Sequence, residues 1–352
     1  MTAKRGAAAA WARMAQKQTR WLMRQAVRVG KKTLKTSARG TPKPRKTRST
    51  AQKPNGHWGA SMALAPAVAR RYRFFKPAGL SRARSHPLLV MLHGCGQNAT
   101  DFAASTRMNR LAAASGFMVL YPEQERLSNA QGCWNWFDAR NGRAKSEATS
   151  IVAALDHACA LHPIDLARVA IVGMSAGASM AALVALHFPQ RFAAVVMHSG
   201  VEPTMATSSA TALGAMRGRY RVAVPQPSAV PLALPALLVL QGSADPIVLR
   251  VNGMRAAQAW AARTHAQPQL SHVVRRGNRY PFTTMDWRVA KQVQVTLSEI
   301  SVLKHAWSGG AASQAFSDPK GPDASRMAWA FAKRQFESGP VATVKTVSSR
   351  KS

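Results

Sequence analysis

The sequence predicts an α/β fold, a mostly parallel central sheet with helices on both faces. Two observations point to it. Strand-like apolar runs alternate with helical patterns from about residue 70 onward, as in sheets built by crossover connections. The runs themselves are continuously apolar, as expected of strands covered on both faces. In chain order, PLLVML (87–92) reads as a buried strand and 101–115 as a helix. FMVLYP (117–122) is a second strand, and 148–161 a second helix. RVAIV (168–172) leads into a helix over 176–187, and RFAAVVMHSG (191–200) and ALLVLQG (236–242) are two more strands. The alternating run VQVTLSEISVL (293–303) ends in a glycine-rich loop, and MAWAFAKRQFES (327–338) has helical spacing.

A chain of 352 residues accommodates one such domain, read here as 70–338, with an appendage. The formal charge of +35 is unevenly placed: 22 Lys and Arg precede the first acidic residue, Asp101. Over 8–37, Arg13, Lys17, Arg20, Arg24, Arg28, Lys31 and Lys35 share one helical face, with Trp11, Ala15, Leu22, Ala26 and Val29 roughly opposite. Residues 38–60, rich in Pro, Lys and Thr, read as a linker, and 339–352 as a disordered tail. Residues 1–60 thus form a basic, partly helical or disordered arm suited to an anionic surface such as a granule coat, nucleic acid or phospholipid. Positive charge continues past residue 50 and the apolar stretch Ala7–Ala12 is short, so no secretory signal is expected. Prolines 225, 227, 231 and 235 argue against a membrane span over 222–244. The three cysteines have no zinc-type spacing. They suit a reducing compartment, and a single Cys95–Cys133 bridge remains compatible with the sequence.

The chemistry is concentrated in a few stretches. GMSAG (173–177) fits G-x-S-x-G with a strand before it and a helix after it, which makes Ser175 the candidate nucleophile. Gly173 and Gly177 suit the sharp turn such a serine requires. In this motif the acid and then the base follow in the chain. Asp245, just past a buried strand in LLVLQGSADPIV, is the candidate acid. Of the histidines that follow it, His265 sits at a helix end and His272 leads a basic stretch, whereas His305 opens the loop HAWSGG. A positioned imidazole belongs on such a loop, so His305 is the candidate base. Oxyanion donors are expected from the amides of Ala176 and of Cys95, in LHGCGQNA (92–99). Trp307 is the better candidate for lining a substrate. Trp134 is a weaker one, since it and Trp136 suit the core somewhat better.

HGCGQNA, GCWNWFDA (132–139), GMSAGAS, GSADPIV with Asn252 downstream, and HAWSGG followed by SDPKGPDAS (317–325) resemble, in that order, the poly(3-hydroxybutyrate) depolymerase-type esterases. The resemblance is to the type-1 catalytic domain of the α/β-hydrolase superfamily and covers about 70–338. It implies Ser175, Asp245 and His305 as a triad, Cys95 and Ala176 as oxyanion donors, and no metal or organic cofactor. It further implies an ester substrate, either polyester granules or hydroxyalkanoate oligomers. With no leader or polymer-binding domain evident, the layout resembles the intracellular enzymes, so a cytoplasmic, granule-associated location is expected, with an extracellular one as the alternative. Two other readings stand beside it. One is an esterase of feruloyl or acetylxylan type. The other is a basic granule- or nucleic-acid-binding protein on a hydrolase scaffold.

Overall fold

A computed structural model describes residues 54–65, 69–220, 225–227 and 229–338. The basic helix read over 8–37, most of the linker and the tail at 339–352 lie outside the described residues.

The chain begins with two strands, β1 (Gly56–Ala63) and β2 (Arg70–Pro77), paired antiparallel. There follow β3 (His86–Leu92), α1 (Ala99–Thr106), α2 (Met108–Ser115), β4 (Met118–Pro122), α3 (Arg143–Leu161) and β5 (Ile164–Met174). Next come α4 (Ala176–His187), β6 (Ala194–His198), α5 (Ser209–Met216), β7 (Ala236–Gly242) and α6 (Val251–Thr264). The last part holds β8 (Gln267–Pro268), β9 (His272–Val274), β10 (Phe282–Val289), β11 (Gln292–Ile300), β12 (Trp307–Ser308), β13 (Ser317–Asp318) and α7 (Ala324–Ser338).

Eleven strands form one sheet in the order β1-β2-β4-β3-β5-β6-β7-β11-β10-β8, with β9 also on β10. The six strands from β4 to β11 run parallel. The flanks, β1–β2–β4 at one side and β11–β10–β8 at the other, are antiparallel. This is the α/β-hydrolase fold.

Side chains of each central strand alternate between two apolar layers. Leu88, Val90 and Leu92 pack with α3, α4 and α6, whereas Leu89 and Met91 face α1, α2 and α7. All five are fully buried. Each contributes about 1.5–3 kcal/mol of transfer free energy, so the sheet makes a stiff base for the loops at its C-terminal edge.

Two elements differ from the sequence reading. Residues 56–60, read as linker, are strand, because β1 matches β2 residue for residue from Gly56↔Pro77 to Ala63↔Arg70. The helix read over 101–115 is broken at Arg107, which sits at φ 55°. Its N–H closes α1 on the Ala103 carbonyl, and its guanidinium donates to the Gly309 carbonyl. A tertiary bond 202 residues away thus outweighs local helix propensity.

Candidate active site

Ser175 stands one residue past the end of β5, with φ 56° and ψ −121°. The sharp turn is possible because the residues two before and two after it, Gly173 and Gly177, lack side chains. A Cβ on Gly173 would lie 2.1 Å from the Gly177 carbonyl oxygen, and one on Gly177 only 2.2 Å from that of Leu92. Either would push strand and helix apart. Ser175 donates its N–H to the His198 carbonyl at 2.8 Å, which anchors the turn to β6.

Asp245 follows β7 by three residues and His305 follows β11 by five. Those strands are parallel neighbours, so the two loops leave the same edge of the sheet side by side. They are joined there: Ser243 donates to the Ile300 carbonyl, and Ala244 to that of Leu303. The crossing is close enough that a Cβ on Gly242 would lie 2.3 Å from the Leu303 oxygen. As a result His305 Nδ1 lies 2.8 Å from Asp245 Oδ2, and His305 Nε2 lies 3.0 Å from Ser175 Oγ. A carboxylate can only accept, so Nδ1 carries the proton and Nε2 is free to accept from the serine hydroxyl.

Asp245 is 3% exposed. Burial pushes its carboxyl pKa up, but the charge and hydrogen bond of His305 and the amides of Ile247 and Val248, both 2.9 Å from Oδ1, outweigh it. The net result is a lowered pKa, so the group is a carboxylate at neutral pH.

The loop after β3 lies against Ser175. A Cβ on Gly94 would be 3.6 Å from the Ser175 Cβ. Several bonds hold this loop. Gly94 donates to Gln97 Oε1, Gly96 to the Gln131 carbonyl, and Trp134 Nε1 to the His93 carbonyl. Cys95 is disulfide-bonded to Cys133. His93 Nε2 accepts the Gln124 N–H, leaving Nδ1–H to donate to the Gly94 carbonyl at 2.9 Å. In a trans peptide the N–H points opposite to the C=O. The bond to the Gly94 carbonyl therefore also sets the direction of the Cys95 N–H. Among the described residues, the amides of Cys95 and Ala176 have no hydrogen-bond partner. Ala176 is moreover the first residue of α4, where the aligned amide dipoles favour negative charge.

Beneath this loop is a buried polar network. Arg70, fully enclosed, bonds Ser150 Oγ, the Glu123 carbonyl and Gln124 Oε1 and lies 5.0 Å over the Trp134 ring. Gln124 and Asn135 both donate to Glu147. Burial lowers the Arg70 pKa, opposed by the charge of Glu147.

Neither tryptophan named as substrate-lining reaches solvent: Trp134 and Trp307 are both 0% exposed. Trp307 is only two residues past His305, but the chain turns inward there. Its ring lies between His198 and Phe102, and its Nε1 donates to Ser325 Oγ. It anchors the segment that follows His305. The reading from sequence alone missed His93 and His198, whose only signal is a histidine closing an apolar strand just before the glycine or serine of a turn.

Among the described residues no group of three or more His, Cys, Asp or Glu is placed to hold a metal ion. No described helix is long and apolar enough to cross a membrane.

Comparison with known proteins places the site in context. A family model, esterase PHB depolymerase, matches residues 70–253. The chain is 36% identical over 145 residues to poly(3-hydroxyalkanoate) depolymerase C of Paucimonas lemoignei, an alignment covering 41% of this chain and 35% of that protein. It is 30% identical over 158 residues to feruloyl esterase B of Neurospora crassa, covering 44% and 51% of the two chains. The matches thus span about half or less of these relatives' own length. Among solved structures, an acetyl xylan esterase from Aspergillus awamori shares the fold, with a TM-score of 0.57 at 18% identity over 70% of this chain and 94% of that one. With the family match covering more than half of the chain, this protein belongs to the PHB depolymerase family of esterases.

Proposed function

We propose that this chain is a serine carboxylic-ester hydrolase that cleaves poly(3-hydroxybutyrate) or its oligomers. The observation that carries the reading is the continuous hydrogen-bonded line Ser175–His305–Asp245, beside two amides that have no hydrogen-bond partner among the described residues. His305 Nε2 takes the Ser175 proton as Oγ attacks the ester carbonyl. Asp245 holds the imidazole in the required tautomer and stabilises its charge. The oxyanion is received by the Cys95 and Ala176 amides, each worth about 3–4 kcal/mol in comparable sites. The collapsing intermediate expels the alkoxide, which takes the proton from His305 and leaves as the alcohol end of the chain. Water, deprotonated by His305, then attacks the acyl-enzyme. The acid is released and Ser175 recovers its proton.

The similarity to a poly(3-hydroxyalkanoate) depolymerase supports the polyester. The similarity to feruloyl and acetylxylan esterases supports, equally, esters on plant polysaccharide. The test is acid release from amorphous poly(3-hydroxybutyrate) granules beside feruloyl and acetyl sugar esters, for wild type and Ser175→Ala. Granule hydrolysis that vanishes in the variant supports the polyester reading. Serine-dependent turnover of the sugar esters alone replaces it. Activity that survives in Ser175→Ala overturns the triad itself.

A further inference from the structure

The chemistry requires His305 to sit at a fixed depth beside Ser175, yet the two come from strands that do not touch. Between β5 and β11 lie β6 and β7, so something must carry the register across. His198, the last residue of β6 and fully buried, has contacts in both directions.

Its carbonyl accepts the Ser175 N–H. Its imidazole Nε2 lies 3.2 Å from the backbone nitrogen of Ser308, three residues past His305. A backbone N–H can only donate, so Nε2 must be unprotonated and Nδ1 carries the proton. That proton faces Ser199 Oγ at 3.1 Å. The ring also stacks on Trp307, with centroids 5.0 Å apart and planes 26° from parallel. Burial, with the nearby His305 charge added, lowers the His198 pKa to about 3, against a smaller opposing effect of Asp245. The neutral form that accepts from Ser308 is therefore the one present in the working range.

The other anchors of the 307–311 segment lead elsewhere. Trp307, Ser308 and Gly309 bond to Phe316, Pro322 and Asp318, and Ala311 and Gly309 to Ser105 and Arg107. Among the described hydrogen bonds, that of His198 alone ties this segment to the strands around the nucleophile.

We propose that His198 is a positioning residue, whose carbonyl and imidazole together fix the distance between the Ser175 hydroxyl and the His305 imidazole. The inference rests on the Ser175–His305–Asp245 reading. Replacing the ring by one of the same shape without nitrogen removes the acceptor, keeps the stacking and leaves the Ser308 N–H buried and unpaired. A base displaced by a fraction of an ångström to an ångström loses about 10–100-fold in rate.

The experiment compares His198→Phe, His198→Gln and His198→Asn with wild type and Ser175→Ala, using p-nitrophenyl butyrate. The glutamine oxygen can extend to the Nε2 position and serve Ser308, whereas the shorter asparagine cannot. Expected for Phe and Asn is a kcat lowered about 10–100-fold with KM within about threefold of wild type. Gln should regain most of the loss. Melting curves separate folded variants from unfolded ones, and if Phe fails to fold, the contrast between Gln and Asn carries the test. A folded His198→Phe or His198→Asn with kcat near wild type overturns the inference, as does a folded His198→Gln no better than Asn. Activity surviving in Ser175→Ala would instead overturn the triad.

Discussion

Replacing Asp245 by asparagine alters one atom in a site whose neighbours dictate the consequence. Oδ1 accepts the backbone N–H groups of Ile247 and Val248, at 2.9 Å each. Both are obligate donors, so in Asp245→Asn the amide oxygen must occupy that position. The NH2 group is then turned toward His305 Nδ1, which lies 2.8 Å from Oδ2 in the native site. Two donors cannot face each other, so the imidazole shifts its proton to Nε2 and accepts at Nδ1. Nε2–H now points at Ser175 Oγ and cannot remove its proton. In a triad of this type the wrong tautomer lowers kcat by about 10⁴, or about 5 kcal/mol. The substitution keeps shape and both backbone bonds, so the fold and KM should change little. The assay is steady-state hydrolysis of p-nitrophenyl butyrate, with a melting curve as control. A folded Asp245→Asn protein within about tenfold of wild type would refute the reasoning.

Other consequences follow from buried groups and tight turns. Burial holds His93 at a pKa of about 4 and His198 at about 3. Below about pH 6.5 the unfolded chain binds protons at both positions that the folded chain refuses. Stability should therefore fall as pH drops from 6.5 toward 4, with a slope of about two protons from this pair. Urea titrations check this, and His198→Phe should reduce the slope by about one proton. Cys133→Ser opens a bridge spanning 38 residues, so it should destabilise the chain by about 3–4 kcal/mol. It should also lower kcat more than it raises KM, because it frees the loop carrying the Cys95 amide. Gly177→Ala places a methyl carbon 2.2 Å from the Leu92 oxygen and 2.5 Å from that of His93. It should abolish activity and lower the melting temperature, as activity assay and calorimetry would show.

What the sequence made legible was whatever local chemistry demands. A serine at φ 56° in so tight a turn needs Gly173 and Gly177, and both lie within two residues of it in the chain. The continuous apolar runs of the parallel strands need no partner to be recognised either. Trp307 departs from its sequence reading because nearness to His305 in the chain suggests exposure, whereas the stack on His198 and the bond to Ser325 turn the ring inward. The break at Arg107 depends on a carbonyl 202 residues away. The glycine-bearing β1 has no pattern of its own and is defined by its pairing with β2. His93 and His198 escaped notice for the same reason. Their importance lies in the backbone N–H groups that Nε2 accepts, from Gln124 and Ser308.

The central claim is that Ser175 becomes acylated, and trapping it is the most direct test. The protein is treated with a p-nitrophenyl alkylphosphonate, a mimic of the tetrahedral intermediate, and the adduct is mapped by peptide mass spectrometry. One adduct per chain is expected, on Ser175, formed in step with loss of esterase activity and much more slowly in Asp245→Asn. Loss of activity with the label on another residue, or full labelling of Ser175 with hydrolysis unaffected, would contradict it.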